Sequence, residues 1–167
     1  KYFFKEISNK IYMKTAFYTN PIFLEHNTGL HPENANRLIS IQEKLKSDGF
    51  LEKLTVFPGR AGTLEEVKML HTEKLVSEIE LASYGGSETL NIPDCVVSPK
   101  TYDAALYAVG TVIDAALEVA ERRCENAFCA VRPPGHHAEY NSAMGFCFFN
   151  NIAIAAEFLT KKMGFKR

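Results

Sequence analysis

The sequence predicts an α/β domain built around a mainly parallel sheet, on three observations. Short β-branched or apolar stretches alternate with longer stretches of helical periodicity. One of the short stretches, "NAFCAV" (126–131), is apolar throughout, as a strand covered on both faces would be. The distinctive "RPPGHH" leaves the end of that strand, and sheets of this kind carry their chemistry at the carboxyl ends of strands.

The elements follow in order. "TAFYTN" (15–20) is β-branched and aromatic and ends at Asn20-Pro21, so it reads as a strand. The next stretch, "NPIFLEHNTGLHPENANR", is rich in turn formers and reads as a loop. From Glu33 to about Ser47, Leu38, Ile39, Ile41, Gln42 and Leu45 recur at helical spacing, and Asp48-Gly49 ends the helix. "LTVFPG" is a short strand. Thr63 with Glu66 three residues later forms a capping box, opening a helix that carries Leu64, Val67 and Leu70 on one face.

A further helix is expected over 72–83, broken by Gly85-Gly86. "ETLNIPDCVVSP" is irregular. "KTYDAALYAVGTVIDAALEVAERR" predicts a long helix whose small residues Ala104, Ala108 and Ala115 permit close packing. After "NAFCAV", "NIAIAAEFLTKKMGF" supplies a final helix.

Composition narrows the function classes. The chain has 167 residues, enough for one domain with a real core, and its net charge of -1 argues against a nucleic-acid binder. No apolar run approaches the roughly 18 residues that cross a bilayer. Cys95, Cys124, Cys129 and Cys147 form no C-x-x-C pair, so neither a zinc ribbon nor a disulfide framework is expected. Cys124, Cys129 and Cys147 read as core thiols, and a cytoplasmic location is expected. "KYFFKEISNKIY" lacks an apolar signal core. It reads as an extension over 1–12, with the domain running over 13–167.

The chemistry concentrates in "RPPGHHAEYNSAMGFCFFNN". Pro133 and Pro134 fix φ and donate no N–H, so the backbone is stiff just before His136 and His137. Gly135 admits a backbone angle other residues resist. Adjacent imidazoles can hold one neutral base beside one charged partner, and they titrate as a pair. Two solvated surface histidines are the plain alternative. Gly145 allows close backbone approach to a ligand, and Phe146 after it reads as a binding wall. Phe148 and Phe149 read as core. His26 and His71 read as structural.

At these residues the chain resembles the zinc-dependent histone deacetylase superfamily, in the class II-like and bacterial form that carries Arg-Pro-Pro-Gly. "HNTGLHPENANRL", "TLEEVKMLHTEKLV", "PDCVVSPKTYDAALYAVG" and "NAFCAVRPPGHH" follow in the family's order. The resemblance implies an arginase-like three-layer α/β/α fold around a mainly parallel sheet. It implies hydrolysis of acetyl groups from acetyl-lysine or acetylated small amines, with no direct nucleic-acid or membrane partner.

Position by position, His137 would be the general base and acid, and His136 its electrostatic partner. Gly145 and Phe146 would line the tunnel for the acetyl-lysine side chain. Asp94 matches a rim aspartate that accepts substrate amide hydrogens, and reads equally as a turn residue after Pro93. Arg37 matches an arginine of the internal channel, and reads equally as a helix-surface charge. His31 and Glu33 belong to a structured loop, where His31 is structural or helix-capping.

The resemblance also implies zinc in the complete domain, to polarise the acetyl carbonyl and lower the pKa of a water. The family's Asp-x-His ligand segment has no counterpart in this chain, nor do its later metal aspartate, its histidine-orienting aspartates or its oxyanion tyrosine. No metal ligand is therefore assigned. The expectation is the N-terminal part of a deacetylase domain, inactive in isolation and left with an open sheet edge that invites association. The alternatives are a non-catalytic module that binds acetylated ligands or complements a separate chain, and an α/β domain whose histidines are structural.

Overall fold

A computed structural model describes residues 15–90 and 94–166. The expected 1–12 extension, with Met13, lies outside the described residues.

Three parallel strands form the sheet, in the order β2-β1-β3: β1 (Ala16–Tyr18), β2 (Thr55–Phe57) and β3 (Ala127–Cys129). Parallel neighbours need crossovers, and helices supply them. α1 (Ile22–Glu25) and α2 (Asn36–Ser47) lie between β1 and β2. α3 (Leu64–Val67), α4 (Glu73–Tyr84) and α5 (Thr101–Ala120) lie between β2 and β3, and α6 (Asn151–Met163) follows β3. A small parallel sheet with helices on it is the predicted class in incomplete form.

Local signals set most boundaries. Thr63 caps α3 through its hydroxyl while the Glu66 carboxylate accepts the Thr63 N–H, the reciprocal arrangement the sequence predicts. Thr72 caps α4 and Asn150 caps α6 by the same side-chain device. α2 starts at Asn36, later than the expected Glu33, and Ala35 before it supplies no side-chain cap. The loop predicted after β1 contains the short α1, which turns Phe23 into the core.

Small residues let α5 act as the central packing element. Ala104, Ala105, Ala108 and Ala115 are all buried, and α5 packs against α6, α4, α1, β1 and β3. Phe148 and Phe149 are core residues, as predicted, joining Val109, Ile113 and Ile154. Cys95, Cys124 and Cys147 are buried and Cys129 half-buried, and all four thiols are free. Among the described residues, no helix is long and apolar enough to cross a membrane.

The prediction that β3 is covered on both faces fails. Phe17, Val56 and Phe128 are in register and share one face of the sheet. Phe23 and Leu38 cover Phe17 at its centre, yet Phe128 stacks on Phe17 (centroids 5.7 Å apart) while staying 45% exposed. Among the described residues nothing covers Phe128, and β3 pairs only with β1.

Candidate functional site

Segments that follow the carboxyl ends of β1 and β3 meet in one pocket of about 470 Å³. Pro32, Glu33 and Arg37 line it from the first segment, and Pro134, His136, His137, Gly145 and Phe146 from the second. Five of the six residues singled out from the sequence thus share one cavity. The sixth, Asp94, is exposed and lines an adjoining small void together with Phe146, His31 and His26.

The mount of the histidines is closely packed. Pro133 is buried, and Gly135 lies so close to the chain after Phe148 that a Cβ would stand 2.5 Å from the Phe149 carbonyl oxygen. Ala138 N–H donates to the Gly135 carbonyl at 3.1 Å, closing a turn around the two imidazoles. Their ring centroids are 4.3 Å apart. Both rings are exposed at the pocket rim among the described residues.

Gly145 and Phe146 occupy the centre of a tight turn. Met144 and Cys147 exchange backbone hydrogen bonds of 3.1 and 3.0 Å across it. Gly145 has φ +55° and Phe146 φ +68°, so the turn belongs to the I′ class, which needs positive φ at both central positions. Glycine accepts this freely, whereas a bulky L-residue there costs about 1–2 kcal/mol. His31 packs edge-on against the Phe146 ring at 4.4 Å and holds it in place. A glycine is needed at 145 for a second reason: a Cβ there would sit 2.9 Å from His137 Cδ2. The glycine therefore admits the His137 ring against the turn.

Beside the pocket lies a polar cluster built on Arg132, a residue the sequence reading left unassigned. Arg132 is wholly buried and pairs with the buried Glu33 carboxylate, Nε to Oε1 at 2.7 Å and Nη2 to Oε2 at 2.9 Å. Arg37 donates to the same Oε1 at 3.0 Å, so it is the exposed end of this cluster and also a pocket residue. Burial would raise the Glu33 carboxyl, but the Arg132 hydrogen bonds and charge outweigh it and hold it below the usual range.

His26 lies beside them, its Nε2 3.9 Å from Glu33 and its Nδ1 2.8 Å from the Thr101 hydroxyl. Burial first, then the Arg132 charge, lowers its pKa to about 4, so it is neutral. His31 accepts the Glu33 N–H and supports Phe146; it does not cap α2, which begins beyond it. His71 accepts the Asn150 N–H at 2.8 Å, the structural role expected of it.

A clue to the cluster lay in the sequence. Arg132 continues an apolar strand run, and a charge in such a run demands a buried counter-charge. That the counter-charge is Glu33, 99 residues away, only the fold reveals.

Among the described residues no three His, Cys, Asp or Glu side chains converge on a point. The described side chains therefore do not fit a zinc ion by themselves, and no ligand is assigned among them.

The chain belongs to the histone deacetylase domain family, which it matches over residues 31–167. It is 34% identical over 181 residues to human histone deacetylase 9, covering 92% of this chain and 18% of that protein. It is 37% identical over 161 residues to a probable deacetylase of Archaeoglobus fulgidus, covering 93% of this chain and 43% of that one. The crystal structure of the HDA15 HD domain superposes with a TM-score of 0.79 at 32% identity, over 86% of this chain and 42% of that chain. The fold is thus the arginase-like fold of that family, and the chain spans less than half the length of these relatives.

Proposed function

We propose that this chain is the N-terminal part of a zinc-dependent deacetylase that removes acetyl groups from acetyl-lysine or acetylated small amines. The observation that carries the reading is the pocket itself. Two adjacent imidazoles on a proline-stiffened loop face an apolar wall formed by a strained Gly145-Phe146 turn. The relatives named as deacetylases support the reaction class.

In this reading His137, packed against Gly145, takes the proton of the attacking water and returns it to the leaving amine. His136, stacked beside it, sets the charge of the pair. Phe146 and Gly145 flank the aliphatic part of the substrate, Arg37 lines the pocket from its exposed place on α2, and Asp94 lies next to Phe146. The zinc ligands are assigned to the part of the complete domain that this chain does not contain. The free edge of β3 and the exposed Phe128 fit a sheet continued by further strands, which is where the rest of the domain would pair.

The test uses the natural full-length protein with an acetyl-lysine peptide and an acetylated small amine. Hydrolysis that a chelator abolishes and zinc restores is the expected result. Binding of the acetylated ligand without hydrolysis would instead support a non-catalytic module.

A further inference from the structure

We propose that Arg132 and Glu33 are a positioning pair for the reaction assigned above, holding the 26–33 loop so that the pocket walls stay in register with His136 and His137. The proposal rests on the deacetylase reading for its kinetic consequence, and on hydrogen-bond geometry for the pair itself.

All five guanidinium N–H groups of Arg132 are used. Two go to the Glu33 carboxylate, two to the carbonyls of Phe23 and His26 at 2.8 Å each, and one to the Thr28 hydroxyl at 3.5 Å. Every acceptor belongs to the segment that leaves β1. Thr28 in turn donates to the Glu33 carbonyl, and the buried His26 ring, 3.9 Å from Glu33, shares a hydrogen bond with the Thr101 hydroxyl. One side chain thus fastens a stretch that contains only a four-residue helix of its own.

That stretch builds one side of the pocket. Glu33 carries Arg37 through its shared Oε1. It also carries His31, whose Nδ1 accepts the Glu33 N–H at 3.0 Å and whose ring braces Phe146. On the other side, Arg132 is four residues before His136, with only the two prolines and Gly135 between. Motion of Glu33 relative to Arg132 would therefore move Arg37, His31 and Phe146 against the histidines.

Stability alone does not account for the pair. Apolar residues of similar volume commonly serve a core as well as a buried ion pair does, since both charges lose their hydration. A bidentate fork instead fixes direction and distance together. Lysine keeps the charge and loses the fork, so it separates the two roles.

The experiment compares Arg132→Lys and the double variant Arg132→Met/Glu33→Leu with wild type in the full-length protein. The double variant strands no charge, which keeps the test readable if the single one folds poorly. KM for an acetyl-lysine peptide is expected to rise about tenfold in both, with kcat within about threefold. Hydrogen exchange on the same samples is expected to show lost protection over 27–33 and unchanged protection in α5. A kcat loss that tracks the folded fraction with KM unchanged would overturn the proposal, because a merely structural pair behaves that way. If wild type hydrolyses nothing, the deacetylase reading falls and exchange alone decides. Loop protection kept in Arg132→Lys then overturns the pair as well, and selective loss over 27–33 upholds it.

Discussion

Replacing Gly145 with alanine isolates the contact that seats His137. Two costs are expected. The backbone angle of +55° strains an alanine by about 1–2 kcal/mol. The new Cβ would also meet His137 at Cδ2, Cγ and Cβ, at 2.9, 3.0 and 3.1 Å. Those atoms lie near the His137 backbone, on a loop held by two prolines, so the ring cannot swing clear without moving its mount.

Gly164 provides the control. It has φ +73° at the end of α6, where an added methyl would have nothing within 4 Å, so Gly164→Ala carries only the backbone cost. Urea unfolding followed by far-ultraviolet circular dichroism should show Gly164→Ala less stable by about 1 kcal/mol. Gly145→Ala should lose about 1 kcal/mol more, the low end of the overpacking range, because the site is half-buried rather than core. In the full-length protein, Gly145→Ala should also lose about a hundredfold in deacetylation, as a displacement near 1 Å does. Equal destabilisation of the two variants, with activity kept in Gly145→Ala, would refute the packing argument.

Two further outcomes follow from the polar groups. Folding holds His26 at about 4 against an ordinary 6.5, so the stability from its neutral form is complete above pH 6.5 and lost as pH falls through 4. At about 1.4 kcal/mol per pH unit the loss is about 3 kcal/mol, and His26→Gln should flatten the stability–pH curve over that window. Glu33, also held low, adds its own loss in the same acid direction. Thr63→Ala removes one half of the α3 capping box and should cost about 1 kcal/mol in the same unfolding assay, while Thr63→Ser should cost little.

What the sequence made legible was local. The Thr63–Glu66 box, the Asp48-Gly49 stop and the alanine-rich packing face of α5 are written in neighbouring residues, and the structure has them. Phe148 and Phe149 fell into the core, while Phe146 stayed half-buried in the pocket wall, because Gly145 starts a turn that reverses the chain there. The misreadings concern distant partners. Coverage of "NAFCAV" depends on what packs over Phe128, which its own apolar character cannot specify. The Arg132–Glu33 pair joins residues 99 apart, and the role of His31 as a brace for Phe146 is likewise a matter of tertiary placement. The motif located the site; the fold supplied its supports.

The central claim is that the histidine pair moves the proton in a deacetylation. The most direct test is kcat for full-length His137→Ala on an acetyl-lysine peptide, with folding checked by circular dichroism. A loss of about a hundredfold to ten-thousandfold, with the folded fraction unchanged, is the predicted result. A kcat within a few-fold of wild type would contradict the claim and leave His137 a structural residue.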